Sequence, residues 1–161
     1  MGGSRARTRG AMLLALLTTL ALAIGTVDAP PAGAGPGYRG KLLRMVNRAR
    51  ERNDLKPLGL DRSLSREAKK HTRRMIRKDR IYDPPDLDRI LKPYPWDDLG
   101  AAAVGCASTV RALHRAWMHS DEHRGILLHP KLREVGIGAL RNDERNACGR
   151  HSVWGTELFY G

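Results

Sequence analysis

Three absences narrow this 161-residue sequence before any pattern is read. Outside residues 11–24 no stretch is apolar enough to cross a membrane, and that run is itself shorter than the roughly 20 residues a bilayer requires. Cysteine is nearly missing. Cys106 and Cys148 lie far apart and neither belongs to a Cys-x-x-Cys pair, which argues against a cysteine-built metal site. There is also no internal repeat, no Gly-rich phosphate loop, no Ser-His-Asp order and no nucleophile elbow. Gly136-Ile137-Gly138 is too short to read as a dinucleotide fingerprint.

Acidic residues are the next shortage, 17 against 29 Lys and Arg, for a formal charge of +12. Arg5, Arg7 and Arg9 precede the apolar run, and Ala32-Gly33-Ala34 supplies small residues after it. Together these predict a secretory signal peptide over residues 1–34, with an uncleaved anchor as the alternative. The remaining 127 residues, 35–161, make one domain by length. Without the leader's three arginines and one aspartate they carry +10, a surplus that favours contact with polyanions: nucleic acid, anionic lipid or acidic wall polymer. In an exported chain an even cysteine count favours a Cys106–Cys148 disulfide over two free thiols. The closed loop of 43 residues would contribute about 4 kcal/mol in the chain-entropy account.

Apolar spacing predicts the elements. Leu42, Val46 and Ala49 give a first helix over 38–53. Leu55, Leu58 and Leu60 follow in a connector interrupted by Pro57 and Gly59. Ser63 is the expected cap of a second helix running to Lys78, with Leu64, Ala68, His71 and Met75 on its inner stripe. Its outer face is basic: Lys69, Lys70, Arg73, Arg74, Arg77 and Lys78. Residues 80–107 are punctuated by proline and glycine, with one short helical turn over 86–91. Ser108 or Thr109 caps a third helix through His119, striped by Val110, Leu113 and Trp117, and a further turn covers 122–128 before Pro130. Residues 134–140 and 152–160 read as two strands of an antiparallel hairpin covered by the helices, so the class is α+β in layers.

The order of residues resembles the bacterial branch of the CAP superfamily, also called SCP-like domains. It is carried by Val46-Asn47-x-x-Arg50, by Leu58-x-Leu60-Asp61-x-x-Leu64, and by Ala68-x-x-His71-x-x-x-Met75. The chain continues with Trp117-x-x-Ser120-x-x-His123-Arg124-x-x-Leu127-Leu128-x-Pro130. Val135-Gly136-Ile137-Gly138 and Trp154-x-Thr156-x-x-Phe159 complete the set, which covers about 38–161. The resemblance implies a three-layer α-β-α sandwich with a small antiparallel sheet. It also implies a cleft lined by two histidines and two acidic residues, which in some members hold zinc or another divalent ion.

Carried over one position at a time, that set is mostly missing. His123 matches one family histidine, with Glu122 in place of the preceding glycine. The turn that bears the other reads Arg80-Ile81-Tyr82-Asp83-Pro84. The family glutamate falls on Ala101 or, with a shift of one, Ala102, and the acidic residue after the helix tryptophan falls on Ser120. A zinc site needs three or four converging N, O or S donors, so no metal or other cofactor is expected. The expected cleft residues are His123, Ser120, Asp83 and His71, with Asp83, Asp97 and Asp98 as partners for His123 and His71 otherwise a core histidine. His114 and His119 are expected to be exposed, and a break near Ser120 separates the faces of His119 and His123. The expectation is a secreted or extracytoplasmic monomer, non-enzymatic, with no specific nucleic-acid recognition. It would bind a lipid, wall polymer or protein at the cleft or basic surface. The alternative is a divergent metal-dependent protein or hydrolase centred on His123.

Overall fold

A computed structural model describes residues 37–95 and 99–161. The expected signal peptide, and Trp96, Asp97 and Asp98, lie outside the described residues. In chain order the elements are α1 (Tyr38–Glu51), β1 (Gly59–Leu60), α2 (Arg62–Lys78), α3 (Leu87–Leu91) and β2 (Gly100–Ala107). They continue with α4 (Val110–His119), α5 (Asp121–Leu127), β3 (Glu134–Asn142) and β4 (Ser152–Tyr160).

The sheet has the order β1-β3-β4-β2. All nine residues of β4 are buried, because it is flanked by β3 and β2 and covered on both faces. Alternation along the strands sorts the layers. Val153 and Phe159 join Leu42, Val46, Leu113, Trp117 and Leu127 from α1, α4 and α5. Leu158 and Tyr160 join Leu64, Ala68 and Leu91 from α2 and α3. The α-β-α sandwich is therefore present, but the sheet is mixed rather than wholly antiparallel. Gly59–Leu60 pairs parallel with Glu134–Val135, so part of the Leu-rich connector is an edge strand.

Two local expectations are corrected. Asp61 caps α2, its Oδ1 accepting from Leu64 N at 2.8 Å, while Ser63 lies inside the helix. The whole of β2 was absent from the sequence reading, since glycine and alanine have low strand propensity. Here they are required by packing. Trp117 and Leu113 press on Gly105 and Gly155, and the Trp117 indole donates to Val104 O at 3.0 Å. Cys106, near the end of β2, is joined in a disulfide to Cys148 in the β3–β4 loop, with Cα atoms 6.0 Å apart.

Gly136 and Gly138 have a steric reason. The α2 backbone lies directly on them, and a Cβ at Gly138 would collide with the main chain of Ala68 and Lys69. Backbone cannot swing aside as a side chain can. Gly138→Ala is expected to cost about 2–3 kcal/mol by overpacking, read from urea unfolding midpoints. A loss below about 0.5 kcal/mol, the range of a neutral surface change, would mean that α2 stands off the sheet.

Candidate functional site

A cavity of about 430 Å³ opens between the segment after α2, the start of α3, β2 and α5. Its walls are Ile81, Tyr82, Asp83, Pro84, Leu87, Ala102, Val104, Glu122, His123 and Ile126. It brings together His123 and Asp83, two of the four expected cleft residues, and adds Glu122. Of the two alanines, Ala102 shares this wall, while Ala101 packs against the α1/α4/α5 layer.

Each polar group is held by its local structure. Ser120 is both the last cap of α4 and the N-cap of α5, which makes the break between His119 and His123. Its Oγ accepts from His123 N at 3.4 Å and lies 2.9 Å from His123 Nδ1, so the imidazole is oriented by its own helix cap. Ser120 thus stands behind His123 and is not itself part of the cavity wall.

His71 is a correction to the expected cleft. It is fully buried in α2 and does not line the cavity. Its Nε2 lies 2.7 Å from Tyr82 O, and the two rings meet edge-on with centroids 5.0 Å apart. Burial is the main cause lowering its pKa, partly opposed by the Tyr82 carbonyl. The neutral ring therefore donates from Nε2 and anchors the segment that presents Tyr82 and Asp83. Tyr82 is braced from outside by Lys78 Nζ and Arg80 Cζ, 5.1 and 5.5 Å from its ring centroid. Its hydroxyl is buried with no partner among the described residues.

The other histidines stay apart from this site. His119 is exposed, but His114 is half-buried rather than exposed, and burial lowers its pKa. Among the described residues no three His, Cys, Asp or Glu side chains converge closely enough to hold a metal. One imidazole and two carboxylates therefore share a wall without forming a ligand set. The rest of the lining is mainly apolar: Ile81, Pro84, Leu87, Ala102, Val104 and Ile126. Such a cavity can enclose an apolar body and offer hydrogen bonds from its polar wall residues. Sequence reasoning missed the roles of Tyr82, Glu122 and Ile126. The signal for the first two was the change from the family pattern at those positions.

The sequence pattern of the CAP family, described as the cysteine-rich secretory protein family, matches residues 43–155. An uncharacterized protein of Bacillus subtilis (strain 168), YkwD, is 26% identical over 144 residues, covering 84% of this chain and 51% of that protein. The chain thus spans about half the length of this curated relative. Among solved structures, an extracellular protein containing an SCP domain from Bacillus anthracis has a TM-score of 0.62 at 21% identity, over 77% of this chain and 40% of that one. An outer surface protein from Borrelia burgdorferi has a TM-score of 0.61 at 18% identity, over 76% of this chain and 91% of that one. A cysteine-rich secretory protein from Staphylococcus aureus has a TM-score of 0.60 at 24% identity, over 80% and 40%. At these identities the structural likeness establishes the fold.

Proposed function

The chain belongs to the CAP family of cysteine-rich secretory proteins, and on that premise we propose that it is an exported, non-catalytic binding protein whose cleft beside His123 takes a ligand with an apolar body and a hydrogen-bonding head. One observation carries this reading. The cavity has a volume of about 430 Å³, while alanine stands at both positions, Ala101 and Ala102, where the resemblance allows a ligating glutamate, and no convergent donor set is present among the described residues. Export is supported by the leader pattern in residues 1–34 and by the extracellular and outer-surface descriptions of two structural relatives.

The test uses a neutral environment-sensitive dye, Nile red. Saturable one-to-one binding is expected. His123→Trp and Ala102→Leu, each filling the cavity, should weaken it at least about tenfold, or about 1.4 kcal/mol, with thermal melts confirming that the variants fold. Unchanged affinity in both folded variants would remove the cleft as the binding site.

A second reading, a metal-dependent protein or hydrolase centred on His123, has one point in its favour: Asp83 and Glu122 line the same cavity. Calorimetric titration with zinc separates the two. Stoichiometric binding that disappears in His123→Ala would favour this second reading over the first.

A further inference from the structure

A second cavity, of about 480 Å³, lies on the opposite side of the sheet from α2. Its wall draws on α1, the first turn of α4 and the ends of β3 and β4. Five cations line it: Lys41, Arg44 and Arg48 from α1, Arg111 from α4 and Arg141 from β3. No carboxylate does. The floor contains Met45, Val110 and Val153. The sequence reading singled out the basic face of α2 and missed this gathering, because its members are scattered over 100 residues of chain.

The electrostatics of this cavity are uncompensated from within. Arg141 pairs with Asp143, but no ion pair holds Lys41, Arg44, Arg48 or Arg111 among the described residues. The starts of α1 and α4 both contribute to the wall. Neither first turn carries an acidic residue, and the start of α1 has no side-chain cap. A helix start is positive and is ordinarily complemented by Asp or Glu. Here four cations without an ion pair among the described residues, Lys41, Arg44, Arg48 and Arg111, line one concavity, which places the complementary charge on an external ligand.

We propose that this cavity is an anion site, separate from the His123 cleft, that binds a phosphate-bearing ligand of at least two negative charges. Phosphate chemistry fits because arginine forks match its oxygens. Ser108 and Thr109 place two hydroxyls in the same wall. The concave shape favours a discrete group over an extended duplex. The contrast is the basic face of α2, which is convex and where Lys70 is already paired with Glu67 at 2.7 Å.

The test is calorimetric titration of the folded chain with inorganic tripolyphosphate at about physiological ionic strength, where long-range surface attraction is screened. One-to-one binding is expected. Arg44→Ala combined with Arg111→Ala should weaken it at least about tenfold. The charge-matched double variant Arg73→Ala with Arg77→Ala on α2 should leave it unchanged. Arg44 and Arg111 are exposed, so their truncation leaves the core intact. Equal loss in both double variants, or no saturable binding by the unmodified chain, would overturn the proposal.

A vesicle arm identifies the source of the phosphate. If cardiolipin vesicles, whose headgroup carries two phosphodiester charges, but not phosphatidylcholine vesicles, capture the protein through the same two arginines, the ligand is a lipid headgroup. If only the soluble phosphate binds through them, it is a free or polymer phosphate. Either pattern supports the site. Because these variants lie outside the His123 cleft, failure here leaves the Nile red result standing, and the reverse also holds.

Discussion

Glu157→Gln is expected to abolish most of a steep loss of stability between about pH 5 and pH 8. Glu157 sits in the middle of β4, opposite Ala103 on one side and Ile137 on the other. It is fully buried, and neither carboxyl oxygen has a partner among the described residues. Desolvation alone pushes its pKa up to about 8 from 4.5, with no charged neighbour contributing. The folded chain therefore keeps this acid protonated at neutral pH.

The direction of the effect follows from linkage. Below about pH 4.5 both states hold the proton and no stability is lost on this account. Between about 4.5 and 8 the unfolded chain releases it while the folded chain keeps it, so unfolding gains with each pH unit. Above about 8 the folded carboxyl ionises as well and the loss levels off. At 1.36 kcal/mol per unit the full swing is about 5 kcal/mol. The difference in urea midpoint between the unmodified protein and Glu157→Gln should fall through this window, a comparison in which the buried His71 and His114, shared by both proteins, cancel. Parallel slopes for the two proteins would show that Glu157 is solvated.

Arg50→Ala should rank next, at about 3–5 kcal/mol. The Arg50 guanidinium is fully buried and has no carboxylate partner among the described residues. Instead it donates to four backbone carbonyls: Lys56 O at 2.8 Å, Leu127 O at 2.9 Å, His129 O at 3.0 Å and Leu132 O at 3.2 Å. Three of these belong to the end of α5 and the turn that follows, where unpaired carbonyls collect at a helix C-terminus. Truncation would take this donor from Lys56 O, Leu127 O and Leu132 O, each at about 1–3 kcal/mol before relaxation, while His129 O keeps the Leu132 N–H at 3.3 Å. Lysine would not rescue it, because its three donors cannot reproduce the planar fork. Hydrogen exchange should rise most in residues 127–134. If the loss is under about 1 kcal/mol, the typical value of one exposed pair, the four bonds do not hold that turn.

These two residues also mark where reading the sequence stops. The resemblance drew attention to Arg50 as part of a pattern, but three of its four partners lie 77 to 82 residues away and no spacing rule reaches them. Glu157 stands between Thr156 and Leu158 in a segment legible as a strand, yet nothing local says that both faces of that strand are covered. For the cleft, His123 and Asp83 were legible as neighbours of the family positions. His71 was misplaced into the cleft because an inward stripe shows only that a side chain points at the sheet, not which cavity it reaches.

What the sequence by itself determined is the set of periodic elements: the buried stripes of α1, α2 and α4, the β3 and β4 strands, and the break at Ser120. These depend on contacts within a few residues, so pattern and capping chemistry are enough. Only the tertiary structure decided that Gly100–Ala107 is a strand, that β1 adds a parallel edge, and that five scattered cations share one cavity. Those outcomes depend on which surfaces meet after the chain has closed. A strand of alanine and glycine forms because Trp117 and Leu113 need the space above it, and that requirement is invisible until α4 lies on the sheet.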